Sequence, residues 1–138
     1  MTPPPGHRWP IRIYYEDTDA GRIVYHANYL RFMERARTEW LRGLGFEQDA
    51  LARAESVFFV VKKISIDYRQ PARFNDEIEV ASSLLKCGRA SMVFGQDIVR
   101  GDTLLCRAEI KVGCVDTASL RPCKIPPNVY REMVNAAG

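Results

Sequence analysis

Two hydrophobic periods divide the chain, and the points where one gives way to the other mark its elements. Ile11, Ile13 and Tyr15 alternate with Arg12, Tyr14 and Glu16, a period of two that predicts a strand. The turn formers Asp17-Thr-Asp-Ala-Gly21 end it. Tyr29, Met33, Ala36, Trp40 and Leu44, with Leu30, Phe32 and Leu41 beside them, then recur at three- and four-residue steps. That spacing predicts the longest helix, with Asn28 as its N-cap and Gly45 as its left-handed stop. Its polar face carries Arg31, Glu34, Arg35, Arg37, Glu39 and Arg42, with Glu34–Arg37 and Glu39–Arg42 at i,i+3 ion-pair spacing.

Glu47 to Ala54 reads as a short helical connector, and four strands follow it. Phe58, Val60, Ile64, Ile66 and Tyr68 share a face interrupted at Lys62, and Pro71 ends that strand. Ile78, Val80, Ser82 and Leu84 form the next inward set, then Met92, Phe94, Gln96 and Ile98. Leu104, Cys106, Ala108, Ile110, Val112 and Cys114 give the cleanest alternation. Polar turns at Asn75-Asp76, Cys87-Gly-Arg89 and Arg100-Gly-Asp102 join these strands as antiparallel hairpins. Asn128 to Val134, after Pro126-Pro127, reads as a short terminal helix. The order predicts an α+β fold, a five-stranded antiparallel sheet curled around one long central helix. Such a sheet leaves edges and an outer face uncovered, which favours a homo-oligomer, at least a dimer. Residues 1–9, with Pro3 to Pro5 and Gly6, read as a flexible lead-in, and residues 10–138 as a single domain.

Composition narrows the function classes. A length of 138 residues suits one core. Hydrophobic residues at 46% and charged residues at 27% exclude a disordered chain. The net charge of +3 is too small to predict nucleic-acid binding, although a local basic cluster could hold a phosphorylated ligand. The longest apolar run, Val57 to Val61, is too short to span a membrane. The N-terminus lacks the apolar stretch of a secretory signal, so the cytoplasm is the expected compartment. Cys87, Cys106, Cys114 and Cys123 contain no C-x-x-C pair, and His7 and His26 are the only histidines. The expectation is buried or half-buried thiols in a reducing compartment, with no metal or cofactor.

The reactive groups concentrate between Tyr14 and Tyr29. Glu16, Asp17 and Asp19 lie there with Tyr14, Tyr15, Thr18 and His26, on a loop joining the first strand to the main helix. A carboxylate there could attack a carbonyl or activate water, while free N–H groups at the helix start hold the developing oxyanion. The same residues also suit a plain structural role, with Asp17 and Asp19 as turn or capping residues and His26 closing the loop.

The run Tyr15-Glu-Asp-Thr-Asp-Ala-Gly, continued by Ile23-Val-Tyr-His-Ala-Asn-Tyr29 and Glu34-Arg-Ala-Arg37, resembles the hotdog-fold acyl-CoA thioesterases over roughly residues 10 to 126. The nearest branch looks like the Tol-Pal-associated thioesterases, related to 4-hydroxybenzoyl-CoA thioesterase. The resemblance implies a catalytic carboxylate at Asp19 and an oxyanion donor at the backbone N–H of His26, whose imidazole is also a participant. It implies a loop-shaping role for Asp17. Arg22 departs from the pattern, because relatives commonly have Gly there. A second branch places its carboxylate on the central helix, which makes Glu34 the runner-up; otherwise Glu34 pairs with Arg31 or Arg37. The implied substrate is an acyl-CoA, with acyl carrier protein as an alternative carrier, and the implied assembly is a dimer or a dimer of dimers, a tetramer in many relatives. Lys62, Lys63, Arg69, Lys86, Arg89, Arg121 and Lys124 are candidates for the coenzyme A phosphates. Phe58-Phe59 and the Tyr25, Tyr29 and Trp40 group are candidates for an acyl pocket or for core. A hydratase lacks a comparable motif here, and a non-catalytic acyl-carrier or partner-binding module has no physical need for the D-T-D and His26.

Overall fold

Burial alternates along His7–Arg12, the first strand, β1, which pairs antiparallel with β3 (Glu77–Cys87). In this computed structural model, which describes residues 6–137, the strand therefore starts inside the expected lead-in. His7, Arg8 and Trp9 are sheet residues; the rest of that lead-in, residues 1–5, lies outside the described residues. Pro10 is tolerated because β1 is an edge strand, where a missing N–H breaks no ladder. Tyr15, expected in the strand, is 80% exposed and opens a 3-10 turn over Tyr15–Asp17. The Asp17 carboxylate takes the Tyr14 N–H at 2.8 Å, and this bends the chain directly after the buried Ile13.

The central helix, α1 (Asn28–Gly43), buries Tyr29, Phe32, Met33, Ala36, Trp40 and Leu41, the stripe that its spacing predicted. Its end is the expected one. Gly45 takes φ +99°, its N–H donates to the Arg42 carbonyl at 3.0 Å, and the Phe46 N–H donates to the Leu41 carbonyl at 2.9 Å. A short helix, α2 (Gln48–Glu55), leads into β2 (Val57–Tyr68). The strands β3, β4 (Ser91–Arg100) and β5 (Thr103–Asp116) complete an antiparallel sheet in the order β1-β3-β4-β5-β2. The interruption at Lys62 is a bulge between Val61 and Lys63, with the Lys62 stem lying over Gly113. A second register shift, between Ile98 and Val99, makes Leu105 rather than Leu104 the fully buried leucine of β5.

The concave face of the sheet meets α1 through Val80, Phe94, Ile98 and Ile110, with Trp40 edge-on to Phe94 at 5.8 Å between centroids. The last helix, α3 (Pro127–Ala136), adds Val129 and Met133 to the same core. One polar tie crosses this core. Gln96, fully buried, donates to the Met33 carbonyl at 3.0 Å and to Ser82 Oγ at 2.9 Å, and its Oε1 accepts from Arg37 Nη1 at 2.8 Å. Arg37 therefore turns inward instead of pairing with Glu34, while Glu39 and Arg42 do pair. The fold is α+β, with the five-stranded sheet wrapped around one long helix, as expected. No helix among the described residues is long and apolar enough to cross a membrane.

Candidate active site

The loop between β1 and α1 is a small hairpin fastened at its base. Thr18 bridges to Val24, the Asp19 N–H donates to the Ile23 carbonyl at 3.0 Å, and the Arg22 N–H donates to the Asp19 carbonyl at 2.9 Å. The tip must fold back within three residues, so one of them takes a left-handed backbone. That residue is Arg22, with φ +64°. The position is thus one that glycine fits without strain, which accounts for the glycine expected there from the resemblance.

The hairpin rests on a braced surface. The Val24 N–H donates to the Ala72 carbonyl at 2.9 Å, and the Ala72 N–H donates to the hydroxyl of the buried Tyr29 at 2.9 Å. Burial raises the Tyr29 phenol above its ordinary value, so it stays protonated. Beneath it, the Asp76 carboxylate accepts from Arg100 at 2.7 Å and from the Arg73 N–H at 2.8 Å.

Asp17 ties both ends of the loop together. Its carboxylate, 7% exposed, accepts from the Tyr14 N–H and, at 3.0 Å, from Asn28 Nδ2, and its carbonyl accepts the Tyr25 N–H. This is the shaping role expected of it. It also corrects Asn28, which is not the N-cap. Ala27 holds that position in a helical conformation, and Asn28 is the first helical residue, its amide drawn back toward Asp17 as a donor.

Asp19 is held by one oxygen. Oδ1 accepts the Gly21 N–H at 2.8 Å, while Oδ2 accepts from nothing among the described residues and the side chain is exposed. His26 sits on the other arm, where the Asn28 N–H donates to the Tyr25 carbonyl at 2.8 Å and turns the chain into α1. The His26 N–H donates to nothing among the described residues. The hairpin thus puts on one loop a carboxylate with a free oxygen and a free N–H at the positive end of the main helix.

The imidazole of His26 lies against the Tyr25 ring at 4.5 Å between centroids and edge-on to Tyr68. His26, Tyr29, Tyr68, Ile23 and Pro71 line a cleft of about 250 Å³. Tyr68 was placed only on a strand face by its spacing, yet its hydroxyl donates to the His26 carbonyl at 2.7 Å. No local sequence signal links residues so far apart, because the contact depends on how β2 passes the loop.

The other candidates separate. Glu34 forms no ion pair among the described residues, contrary to the pairing expected with Arg31 or Arg37. It lines a different cleft, with Arg37, Phe59 and Val61. Arg69 pairs with Asp67, whereas Arg89 and Lys124 share a cleft of about 440 Å³ with Tyr130. Tyr29 and Trp40 are core, and Tyr25 is exposed.

Comparison with known proteins identifies the family. The acyl-CoA thioester hydrolase YbgC of Escherichia coli O6:H1 is 48% identical over 126 residues, 91% of this chain and 93% of that protein. The acyl-CoA thioesterase YbgC of Haemophilus influenzae is 44% identical over 124 residues, 90% of this chain and 91% of that protein. The crystal structure of a "Probable Thioesterase" from Bartonella henselae superposes with a TM-score of 0.84 at 31% identity, over 88% of this chain and 99% of that one. The family model described as "Thioesterase-like superfamily" matches residues 14–133. The chain belongs to the thioesterase-like superfamily.

Proposed function

We propose that the protein hydrolyses an acyl-CoA thioester to the free acid and coenzyme A, with Asp19 as nucleophile or general base and the His26 N–H as oxyanion donor. The observation that carries this is the half-anchored Asp19 carboxylate on the same hairpin as the unengaged His26 N–H. Sulfur donates weakly into the thioester carbonyl, so the carbon is electrophilic, and a thiolate leaves readily without strong acid assistance. The two tasks left to the protein are delivery of oxygen to the carbon and stabilisation of the oxyanion. In the direct route Asp19 forms an acyl anhydride and expels the thiolate, and water then cleaves the anhydride. In the water route Asp19 takes a proton from water as the water oxygen bonds to the carbon. The tetrahedral intermediate then collapses with cleavage of the C–S bond, expelling the thiolate, which recovers the proton from Asp19. The names of the relatives support acyl-CoA as the substrate class.

The assembly belongs to the same proposal. β2 pairs only with β5 among the described residues, so its other edge carries free backbone donors and acceptors beside the exposed Val61, Ile64 and Tyr68. An edge of that length and character favours pairing with a second copy. Pairing there would also cover the cleft beside Tyr68 and exclude water from it. A cytoplasmic location is part of this proposal, supported by the four free thiols, whereas an acyl carrier protein as alternative carrier and kinship with the Tol-Pal-associated branch rest on the loop motif.

The test is release of free thiol from short-chain, aromatic and long-chain acyl-CoA substrates, followed with a thiol reagent. Turnover of at least one class is expected. No release from any of them would leave a non-catalytic binding module as the reading.

A further inference from the structure

After Asp116 the chain makes a tight excursion and returns alongside β5. The Asp116 carboxylate accepts the Ala118 and Ser119 N–H groups, at 3.0 and 2.8 Å, and closes the turn. The Asp116 N–H donates to the Arg121 carbonyl, Val115 bridges to Pro122, and the Cys123 N–H donates to the Cys114 carbonyl, at 2.9 Å. This ladder sets Cys114 and Cys123 opposite one another. Their sulfurs are 3.7 Å apart, and both cysteines are free. Opposed residues of an antiparallel pair have Cα atoms about 4.5–5.5 Å apart, inside the range that a disulfide spans. Side-chain rotation alone can therefore bring the sulfurs to bonding distance, about 2 Å. Neither Cys87 nor Cys106 has a sulfur neighbour within hydrogen-bond reach among the described residues.

We propose that Cys114 and Cys123 are a redox modification site, forming a reversible intramolecular disulfide when the protein meets a peroxide. The expectation of four inert thiols is thereby narrowed to Cys87 and Cys106. Cys123 is half-buried and Cys114 fully buried, so the oxidant reaches Cys123 first. The Cys123 sulfur takes one peroxide oxygen and becomes a sulfenic acid, releasing one water. The Cys114 sulfur then attacks it, the S–O bond breaks, and the hydroxide leaves as a second water with the Cys114 proton. Two thiols have given two electrons and two protons, and the peroxide has become two waters. Burial, with the neighbouring Cys123 sulfur, pushes the Cys114 thiol up to about 12, which makes it a poor first site of oxidation. The bond would brace the segment running from β5 to α3, including Lys124, whose carbonyl lies 3.8 Å from the Cys114 sulfur.

The experiment uses the full chain, fully reduced and then treated with hydrogen peroxide. Thiols counted after unfolding should fall from four to two and return to four with dithiothreitol. Peptide mapping should show residues 114 and 123 linked, with the loss of two hydrogens. Cys123→Ser, at the more exposed position, should abolish the link. As a second measurement, phenylarsine oxide, which bridges close thiols, should block two thiols in the untreated protein and not in Cys123→Ser. Retention of all four thiols, a link through Cys87, or a link only between two chains would overturn the proposal.

Discussion

The Asp17 carboxylate and the Asn28 side-chain amide meet at 3.0 Å and join the start of the β1–α1 loop to the first turn of the helix. Everything that Asp19 and His26 do depends on this clasp, because both lie on the chain between its two ends. Asp17→Ala leaves the Tyr14 N–H and the Asn28 amide without their acceptor. A loss of about 2–3 kcal/mol is expected from the urea midpoint, with activity falling as well. Asp17→Asn keeps one accepting oxygen and should lose clearly less. Equal losses in the two variants would show that the hydrogen bonds are not what holds the loop.

Tyr68 reaches the same loop from the sheet. Tyr68→Phe keeps the ring against His26 and removes only the hydroxyl that donates to the His26 carbonyl. The expected result is a kcat lower by about fivefold, the size of one modest hydrogen bond, with KM nearly unchanged. An unchanged kcat would place no positional demand on that carbonyl.

Arg22 holds a backbone conformation that suits glycine. Arg22→Gly removes left-handed strain of about 1 kcal/mol and adds about 0.5 kcal/mol of unfolded-state entropy cost, so a net gain of about 0.5 kcal/mol is expected by denaturant titration. A loss instead would mean that the guanidinium contributes contacts of its own.

His7 gives the stability a pH dependence. It stacks on Trp9 and Trp40, and its Nδ1 is buried without a hydrogen-bond partner among the described residues. Burial lowers its pKa below 6.5, with Glu39 opposing this in part. Below pH 6.5 the unfolded chain therefore binds more protons than the folded one, and stability falls as pH falls through that region. Melting temperatures across this range should fall less steeply for His7→Phe than for the natural chain. Equal slopes would assign the pH dependence to other groups.

Alternation and helical spacing carried most of the architecture, because β3, β4, β5 and α1 each bury one face against a shared core. They also placed Gln96 inward, but its role was illegible, since its partners Met33, Arg37 and Ser82 come from two other elements. β1 was misread at its start because an edge strand with His, Trp and Pro shows its pairing with β3 rather than an apolar period. Asp19 and His26 could be named as candidates because the motif that carries the resemblance is contiguous. Tyr68 and the pairing of Cys114 with Cys123 were not, because both arise from chain returns that only tertiary structure fixes.

The most direct measurement is the turnover of a good acyl-CoA substrate by Asp19→Asn beside the natural chain, both shown to be folded and to have equal melting temperatures. The substitution keeps an oxygen for the Gly21 N–H and removes the charge to which the proposal assigns the attack on carbon or on a water proton. The account predicts a kcat lower by about a hundredfold or more. A kcat within a factor of about two of the natural chain, too small a change for loss of a catalytic base, would contradict it.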